Sequence, residues 1–376
     1  MADPDPPQQT MDRLLTAMGK MGASDLHLKV HYPPCFRVAG VLRKVDMPPI
    51  PSTEYMEQML ESLVPPTRRP EYDEKGDLDF SARGPTGDRF RINIFRSTSE
   101  MHAAVRRVQS NIPTFKELNL PDVYGKTMMK SLDGLILVSG VTGCGKSSTL
   151  AAMLNLVNEL RGMHIITIED PIEYVFTPKK SIISQREIGI DIPDYAEALR
   201  YVVRQDPDCI FIGEMRDRAT MQAAIQAAET GHLVLGSLHV IDVQQTFKRI
   251  LEFFPRNEHR FIRSSLANSL TAIMCQRLLP GIEEESRYPA TEVMVMNSIV
   301  KDKILHEEDD DFPAVINQCK EEGMRSFTQS LCELVEKELV HYDTAMEYAP
   351  SREALASAVK GIKTQAQSLI GRVKGR

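Results

Sequence analysis

Apolar residues recur at helical spacing at Met11, Leu14, Leu15 and Met18 and are followed by Gly19 and Gly22. The spacing predicts a short helix over residues 11–21, after a proline-rich start. The period then changes to alternation, in Leu26, Leu28 and Val30 and again in Phe36 and Val38, with Pro33, Pro34 and Gly40 as turn signals. Those stretches predict strands. Ser52 and Thr53 can cap a helix running to residue 64, and alternation returns at Leu78 and Phe80 and at Phe90, Ile92 and Ile94. Residues 1–107 therefore read as a small α+β domain.

Between residues 108 and 122 lie Asn111, Pro113, Asn119 and Pro121, with Thr114 and Glu117 spaced as a capping box, and a linker is expected there. Beyond it, short apolar runs at 135–139, 164–168, 209–212 and 233–238 alternate with helical patterns at 147–160, 195–205 and 220–230. This rhythm predicts βαβ units around a mostly parallel sheet, so residues 123–355 are expected to form an α/β domain whose part from 243 onward is largely helical. Residues 356–376 form a basic amphipathic tail, with Val359, Ile362, Leu369, Ile370 and Val373 among Lys360, Lys363, Arg372, Lys374 and Arg376. Such a tail lies on an anionic membrane or partner, or packs as a final helix on its own domain.

Charge and cysteine usage narrow the classes. Of 376 residues 45 are basic and 52 acidic, a net charge of −7 that argues against coating nucleic acid. The six cysteines are scattered, with no CxxC pair, which encodes neither a zinc ribbon nor a secreted disulfide framework and fits a reducing cytoplasm. No apolar run approaches a membrane span, and the first residues carry no basic-then-apolar signal, so any membrane contact is expected to be peripheral.

The strongest chemical signal is Gly140-Val141-Thr142-Gly143-Cys144-Gly145-Lys146-Ser147, which fits G-x-x-x-x-G-K-[ST] and stands between an apolar run and a helical stretch headed by Ser148. Strand, loop and helix in that order are the setting the motif requires. The glycines let successive N–H groups turn inward around a β-phosphate, Lys146 reaches the β and γ oxygens, and Ser147 offers its hydroxyl to Mg²⁺. ATP and Mg²⁺ are the expected ligands. Cys144 has two readings: a thiol activated by the helix terminus and Lys146, or simply a small side chain that suits the loop.

Hydrolysis by such a loop needs a carboxylate to orient or deprotonate water, normally at the end of a neighbouring apolar strand. The run 209–212 followed by Gly213 and Glu214 supplies one, making Glu214 the general-base candidate; its other reading is a surface carboxylate capping the next turn. Glutamate replaces the commoner aspartate there, so Mg²⁺ would rest mainly on Ser147 and water. Glu169, Asp170 and Glu173 surround Pro171 after another strand, and His232 and His239 bracket the run 233–238, as packing residues or as part of a site. Arg106 and Arg107 just precede the linker, suited to coupling or simply solvated. The run His306, Glu307, Glu308, Asp309, Asp310, Asp311 reads as an acidic surface loop.

These boxes, in order, resemble the secretion ATPases of the type II and type IV pilus systems, and among them the PilT-like retraction ATPases. The resemblance rests on the loop at 140–147, Glu169-Asp170-Pro171-Ile172-Glu173-Tyr174, Asp206-Pro207-Asp208, Gly213-Glu214-Met215-Arg216-Asp217, Glu229-Thr230-Gly231-His232, Leu238-His239, Ile262-Arg263 and Gln276-Arg277-Leu278-Leu279-Pro280. Gly22-Ala23-Ser24-Asp25-Leu26-His27 and Gly323-Met324 extend it over most of the chain. It implies a ring hexamer of α/β class, with a PAS-like first domain before a RecA-like P-loop ATPase domain and ATP bound between them. It also implies that Glu169, through water, and Glu173 act around Mg²⁺, that Glu214 is the catalytic glutamate, and that His232 and His239 report on the γ-phosphate. Arg91, Arg106, Arg200 and Arg204 look like the family's phosphate-facing arginines. Val141, Cys144 and Val240 depart from the usual pattern, and the last puts the hydrogen bonding of position 240 in question.

The function implied is a motor that couples Mg-ATP hydrolysis to pilus retraction at the cytoplasmic side of the inner membrane, engaging the pilus platform protein and machinery. An accessory retraction ATPase (PilU-like) and an assembly or secretion ATPase are sister readings, the latter commonly carrying a four-cysteine zinc element not encoded here. A nucleic-acid translocase and a non-hydrolysing scaffold are the readings from other classes; acidity and the lack of Trp count against the first, and the complete boxes against the second.

Overall fold

The computed structural model describes residues 6–38, 40–108 and 111–361. Gln109 and Ser110 of the expected linker and residues 362–376 of the expected tail lie outside the described residues. The chain divides into two units, residues 1–111 with 171–175, and residues 112–170 with 176–376.

In the first unit, α1 (Pro7–Met21) precedes β1 (Ala23–Lys29), β2 (Cys35–Val38), β3 (Val41–Lys44), α2 (Thr53–Leu60), α3 (Arg69–Lys75), β4 (Asp77–Arg83), β5 (Arg89–Ser97) and β6 (Glu100–Arg107). The strands form one antiparallel, PAS-like sheet in the order β3-β2-β1-β6-β5-β4. Alternation decides its faces: Leu26, Leu28, Phe90, Ile92, Ile94, Ala103 and Val105 are buried with Met11, Leu14, Leu15 and Met18 of α1 and Met56, Met59 and Leu60 of α2. Ser52 caps α2 by accepting from the Tyr55 N–H, and Gly22 ends α1 at φ 64°. On the other face Asp25, Arg106 and Arg91 stand level across β1, β6 and β5.

The second unit contains α4 (Val123–Lys130), β7 (Gly134–Ser139), α5 (Lys146–Leu160), β8 (His164–Glu169), β9 (Ile182–Glu187), α6 (Tyr195–Val202), β10 (Cys209–Ile212), α7 (Arg218–Glu229), β11 (Leu233–Leu238), α8 (Val243–Glu252), α9 (His259–Ser269), β12 (Leu270–Pro280), β13 (Arg287–Val295), α10 (Ser298–Leu305), α11 (Phe312–Gln318), α12 (Phe327–Glu336) and α13 (Tyr342–Tyr348). Its RecA-like sheet has the order β13-β12-β7-β11-β10-β8-β9, parallel except for β12 against β13. Every residue of β7, β10 and β11 is buried, as expected for strands with helices on both faces.

Three expectations are corrected here. The region after 243 is not simply helical: β12 and β13 are the longest pair of the sheet, and β12 is buried along most of its length, so its apolar run carries no period that separates strand from helix. The strand that leads into Glu214 is not the neighbour of the P-loop strand, because β11 is inserted between β7 and β10. The acidic loop is not merely a surface feature. Asp309 is buried and takes a two-pronged ion pair from Arg263, Nη1 to Oδ1 and Nη2 to Oδ2, both at 2.6 Å. At residues 114–117 the reciprocal capping-box bonds form, with Glu117 Oε2 accepting from the Thr114 N–H at 2.7 Å, but they close a turn and no helix follows.

Candidate active site

Parallel strands place all their carboxyl ends on one edge, and four segments meet there: the loop after β7, Glu169 at the end of β8 with Asp170 after it, Gly213 and Glu214 after β10, and His239 after β11. The loop owes its shape to glycine at two positions above all. Gly140 has φ 153°, and a Cβ there would stand 2.5 Å from both Cys144 Sγ and Gln276 O. Gly145, the residue that opens α5, has φ 90°. The N–H groups of the first turn of α5 are thereby left facing out of the loop, with the helix dipole behind them. Lys146 is buried and donates from Nζ to Gly140 O at 2.8 Å and Val141 O at 3.1 Å, which lays its ammonium along the loop's rim. Ser147 and Ser148 are half-buried at the head of the helix.

Glu214 is the hub. His239 Nε2 stands 3.2 Å from Glu214 Oε1, and Arg216 Nη2 donates to Glu214 Oε2 at 2.6 Å. His239 Nδ1 in turn lies 3.4 Å from Thr142 Oγ1, so the carboxylate is joined through the imidazole to the P-loop itself. Partial burial pushes the Glu214 carboxyl upward, but the Arg216 hydrogen bond and the charges of His239, Arg216 and Lys146 outweigh it and hold the group below the usual carboxylate range. It is a carboxylate at neutral pH.

Glu169 is buried at the end of β8, where it accepts from Thr167 Oγ1 at 2.6 Å and Gln185 Nε2 at 3.1 Å. Tyr195, at the head of α6, stands among Asp170, Glu214 and Glu169; burial first and those charges next push its phenol well above its ordinary value. A Cβ on Gly213 would come within 3.2 Å of the Tyr195 hydroxyl, which accounts for glycine before the glutamate. Sequence reading passed over Tyr195, Arg216 and Gln276 as site residues. Arg216 and Gln276 stand inside quoted boxes, which could have signalled them; Tyr195 stands in none and carried no signal.

Other expected residues lie elsewhere. His232 precedes β11 and His239 follows it, seven residues on, so the two rings are separated by roughly 23 Å of strand and only His239 is at the P-loop edge. His232 Nδ1 instead lies 3.0 Å from Ala227 O, tying α7 to the strand that follows. Arg200, in the last turn of α6, and Arg204, between α6 and β10, are both exposed. Glu173 is exposed, in the segment that divides with the first unit. Arg91 and Arg106 are directly opposite each other on β5 and β6; Arg106 Nε donates to Asp25 Oδ1 at 2.8 Å and Arg91 Nε is 3.9 Å from Asp79 Oδ1.

Two of the departures have simple consequences. Cys144 is 2% exposed and burial pushes its thiol up in spite of Lys146, so the activated-thiol reading is corrected and the small-side-chain reading stands. At position 240 the backbone does the work: Ser139 Oγ donates to Val240 O at 2.8 Å and accepts from the Val240 N–H at 3.2 Å, so the side chain there is immaterial to those bonds.

The model of the family described as type II/IV secretion system protein matches residues 1–367. The type IV pilus retraction ATPase PilT of Pseudomonas aeruginosa is 38% identical over 89% of this chain and 97% of its own length. The type IV pilus ATPase PilU of the same organism is 34% identical over 97% of this chain and 95% of its own. Among solved structures, that of the pilus retraction motor PilT with bound ADP superposes with a TM-score of 0.86 at 37% identity, covering 92% of this chain and 98% of that one. With the fold, the loop and the boxes all in place along nearly its full length, the chain belongs to the family of type II/IV secretion system proteins.

Proposed function

We propose that the chain is a P-loop ATPase that couples hydrolysis of ATP to retraction of a type IV pilus, working as a ring hexamer on the cytoplasmic face of the inner membrane. The observation that carries the enzymatic part is the chain of contacts Thr142, His239, Glu214, Arg216, which sets an ionised carboxylate beside the loop that would hold the phosphates. The 38% identity to PilT and to a twitching motility protein of Neisseria gonorrhoeae supports the motor role. No described helix is long and apolar enough to cross a membrane, so attachment would rest on the pilus platform protein.

The site's oxygen donors fit a hard cation. Ser147 Oγ at the head of α5 and the Glu169 carboxylate, the latter through water, would hold Mg²⁺, and among the described residues no cluster of three or more His, Cys, Asp or Glu suits a metal. When bound, Mg²⁺ neutralises phosphate charge. The protein's own groups do the rest. Lys146 and the α5 N–H groups bind the β- and γ-phosphates, Glu214 accepts a proton from the attacking water, and His239 holds Glu214 against the loop. His232 lies at the other edge of its sheet, so a role for it at phosphate requires a second copy of the chain, as does a ring, and Arg200 and Arg204 are proposed to act at phosphate in that ring. Arg91 and Arg106 are proposed for the same charge-stabilising role.

The deciding experiment compares Lys146→Ala with Glu214→Gln. The first should lose nucleotide binding; the second should keep it and lose turnover by roughly 10²–10⁴-fold, the usual worth of a general base. Equal loss of binding in both would reject the division of roles, and normal twitching motility in cells carrying only Glu214→Gln would reject the motor.

A further inference from the structure

Gln276, from β12, reaches the P-loop from beneath. Strand β12 lies beside β7 with Cys275 paired to Ser139, which puts Gln276 level with Gly140, the first residue of the loop. Its side chain is 2% exposed, and both ends of its amide are engaged: Nε2 donates to Cys144 O at 2.8 Å, and Oε1 accepts from Thr149 Oγ1 at 3.0 Å. The Cys144 carbonyl can only accept, so it decides which end of the amide is nitrogen, and Thr149 must then supply its proton to the oxygen. The amide also packs under Gly145, where a Cβ would stand 3.2 Å from Nε2, and the Gln276 carbonyl lies against Gly140. One residue thus touches Gly140 and Gly145 of the loop and Thr149 in the first turn of α5.

We infer that Gln276 is a positioning residue for nucleotide binding, holding the peptide between Cys144 and Gly145 in the one orientation that turns the Gly145 N–H toward phosphate. A trans peptide is planar, with its C=O and N–H pointing opposite ways. Drawing the Cys144 carbonyl down onto Gln276 therefore aims the Gly145 N–H out of the loop, into the space that the β-phosphate would fill. Gly145, at φ 90° with no side chain, has enough freedom for this peptide to turn over if the carbonyl is released. A turned peptide would present an oxygen to the phosphate in place of a donor. Thr149 fixes the amide that fixes the carbonyl, so the two side chains act as one unit.

The inference rests on the nucleotide-binding reading, and the test separates the two. Affinity for a fluorescent ADP, melting temperature and steady-state ATPase kinetics are measured on the full chain and on Gln276→Leu, Thr149→Val and the double variant. In Gln276→Leu the Kd for ADP should rise about ten-fold or more, and KM for ATP with it, while kcat at saturation stays within about three-fold, the mark of lost uniform binding. The double variant should bind no more weakly than Gln276→Leu alone, because the second change removes a contact already idle. A folded Gln276→Leu chain with native Kd, penalties that add in the double variant, or a loss in kcat at constant KM would each overturn the inference. Should Gln276→Leu not fold, Thr149→Val decides alone: weaker ADP binding is expected, and native Kd overturns the assignment. If the native chain itself does not bind ADP, the nucleotide-binding reading falls instead.

Discussion

Glu214 and His239 follow two adjacent strands of the second unit's sheet, β10 and β11, and meet at the edge with Oε1 and Nε2 3.2 Å apart. The contact joins the candidate base to a ring that also reaches Thr142 of the P-loop, so the loop and the carboxylate are linked through one imidazole. Arg216 occupies the other oxygen of the same carboxylate.

If Glu214 is the proposed base, that arrangement should set the acid limb of the pH–rate profile. Glu214 is held below the usual carboxylate range, so activity is present above that lowered value and is lost as pH falls through it. Arg216→Ala removes the leading cause of the lowering, and the acid limb of kcat/KM should then move to higher pH. A limb that stays in place would show that Glu214 is not the group being titrated.

Cys144 should be chemically quiet. Its thiol is buried and pushed upward, so a maleimide at neutral pH should leave it unmodified while the chain is folded, and should not inhibit turnover. Rapid inactivation that ATP protects against, with the label mapped to Cys144, would contradict this. Mass spectrometry of the labelled chain reads the outcome directly.

Arg263 and Asp309 form a buried, doubly hydrogen-bonded pair that fastens the loop after α10 to α9, with Arg263 also donating to Ile304 O at 3.2 Å. Removing one partner leaves the other charge buried, so Arg263→Ala should cost about 3–5 kcal/mol. Replacing both with apolar residues of similar size should restore most of that loss. Thermal unfolding of the single and double variants checks both statements.

Glu292, on β13, accepts from the Val243 N–H at 2.9 Å at the start of α8, and burial pushes its carboxyl up to about 6. A carboxyl raised on folding binds its proton more tightly in the native state, so its contribution favours folding at low pH. That contribution declines as pH rises from the unfolded value near 4.3 through about 6. Glu292→Gln should therefore gain stability relative to the native chain between pH 5 and 7.5, by on the order of 1–2 kcal/mol at the upper end. A difference in melting temperature that does not grow over that interval would refute the assignment.

The candidate phosphate-binding loop was legible in the chain because it obeys a local rule. A loop that must wrap a phosphate needs glycine at Gly140 and Gly145, lysine and a hydroxyl at fixed spacing, and a strand and a helix on either side; all of that is contiguous and visible. The strands at 209–212 and 233–238 were legible to the residue, since a fully buried short strand is a bare apolar run between turn signals. The same rule failed for β12, whose buried run is long enough to pass for a helix, although Pro280 and Gly281 mark the turn that leads from it into β13.

What only tertiary structure decided is the set of relationships made by strand order. Insertion of β11 between β7 and β10 brings His239 between Thr142 and Glu214, and no spacing along the chain records that order. It equally separates His232 from His239, which look like a matched pair in one dimension but stand at opposite ends of one strand. Burial settled Cys144 against its helix-terminus and lysine neighbours, and burial with a partner turned Asp309 from a surface charge into a fastening. Gln276 joins the loop across more than a hundred residues of chain. The sequence determines which groups are available and the local backbone that presents them; sheet pairing and desolvation, which depend on residues far apart, determine which of those groups meet and in what state of charge.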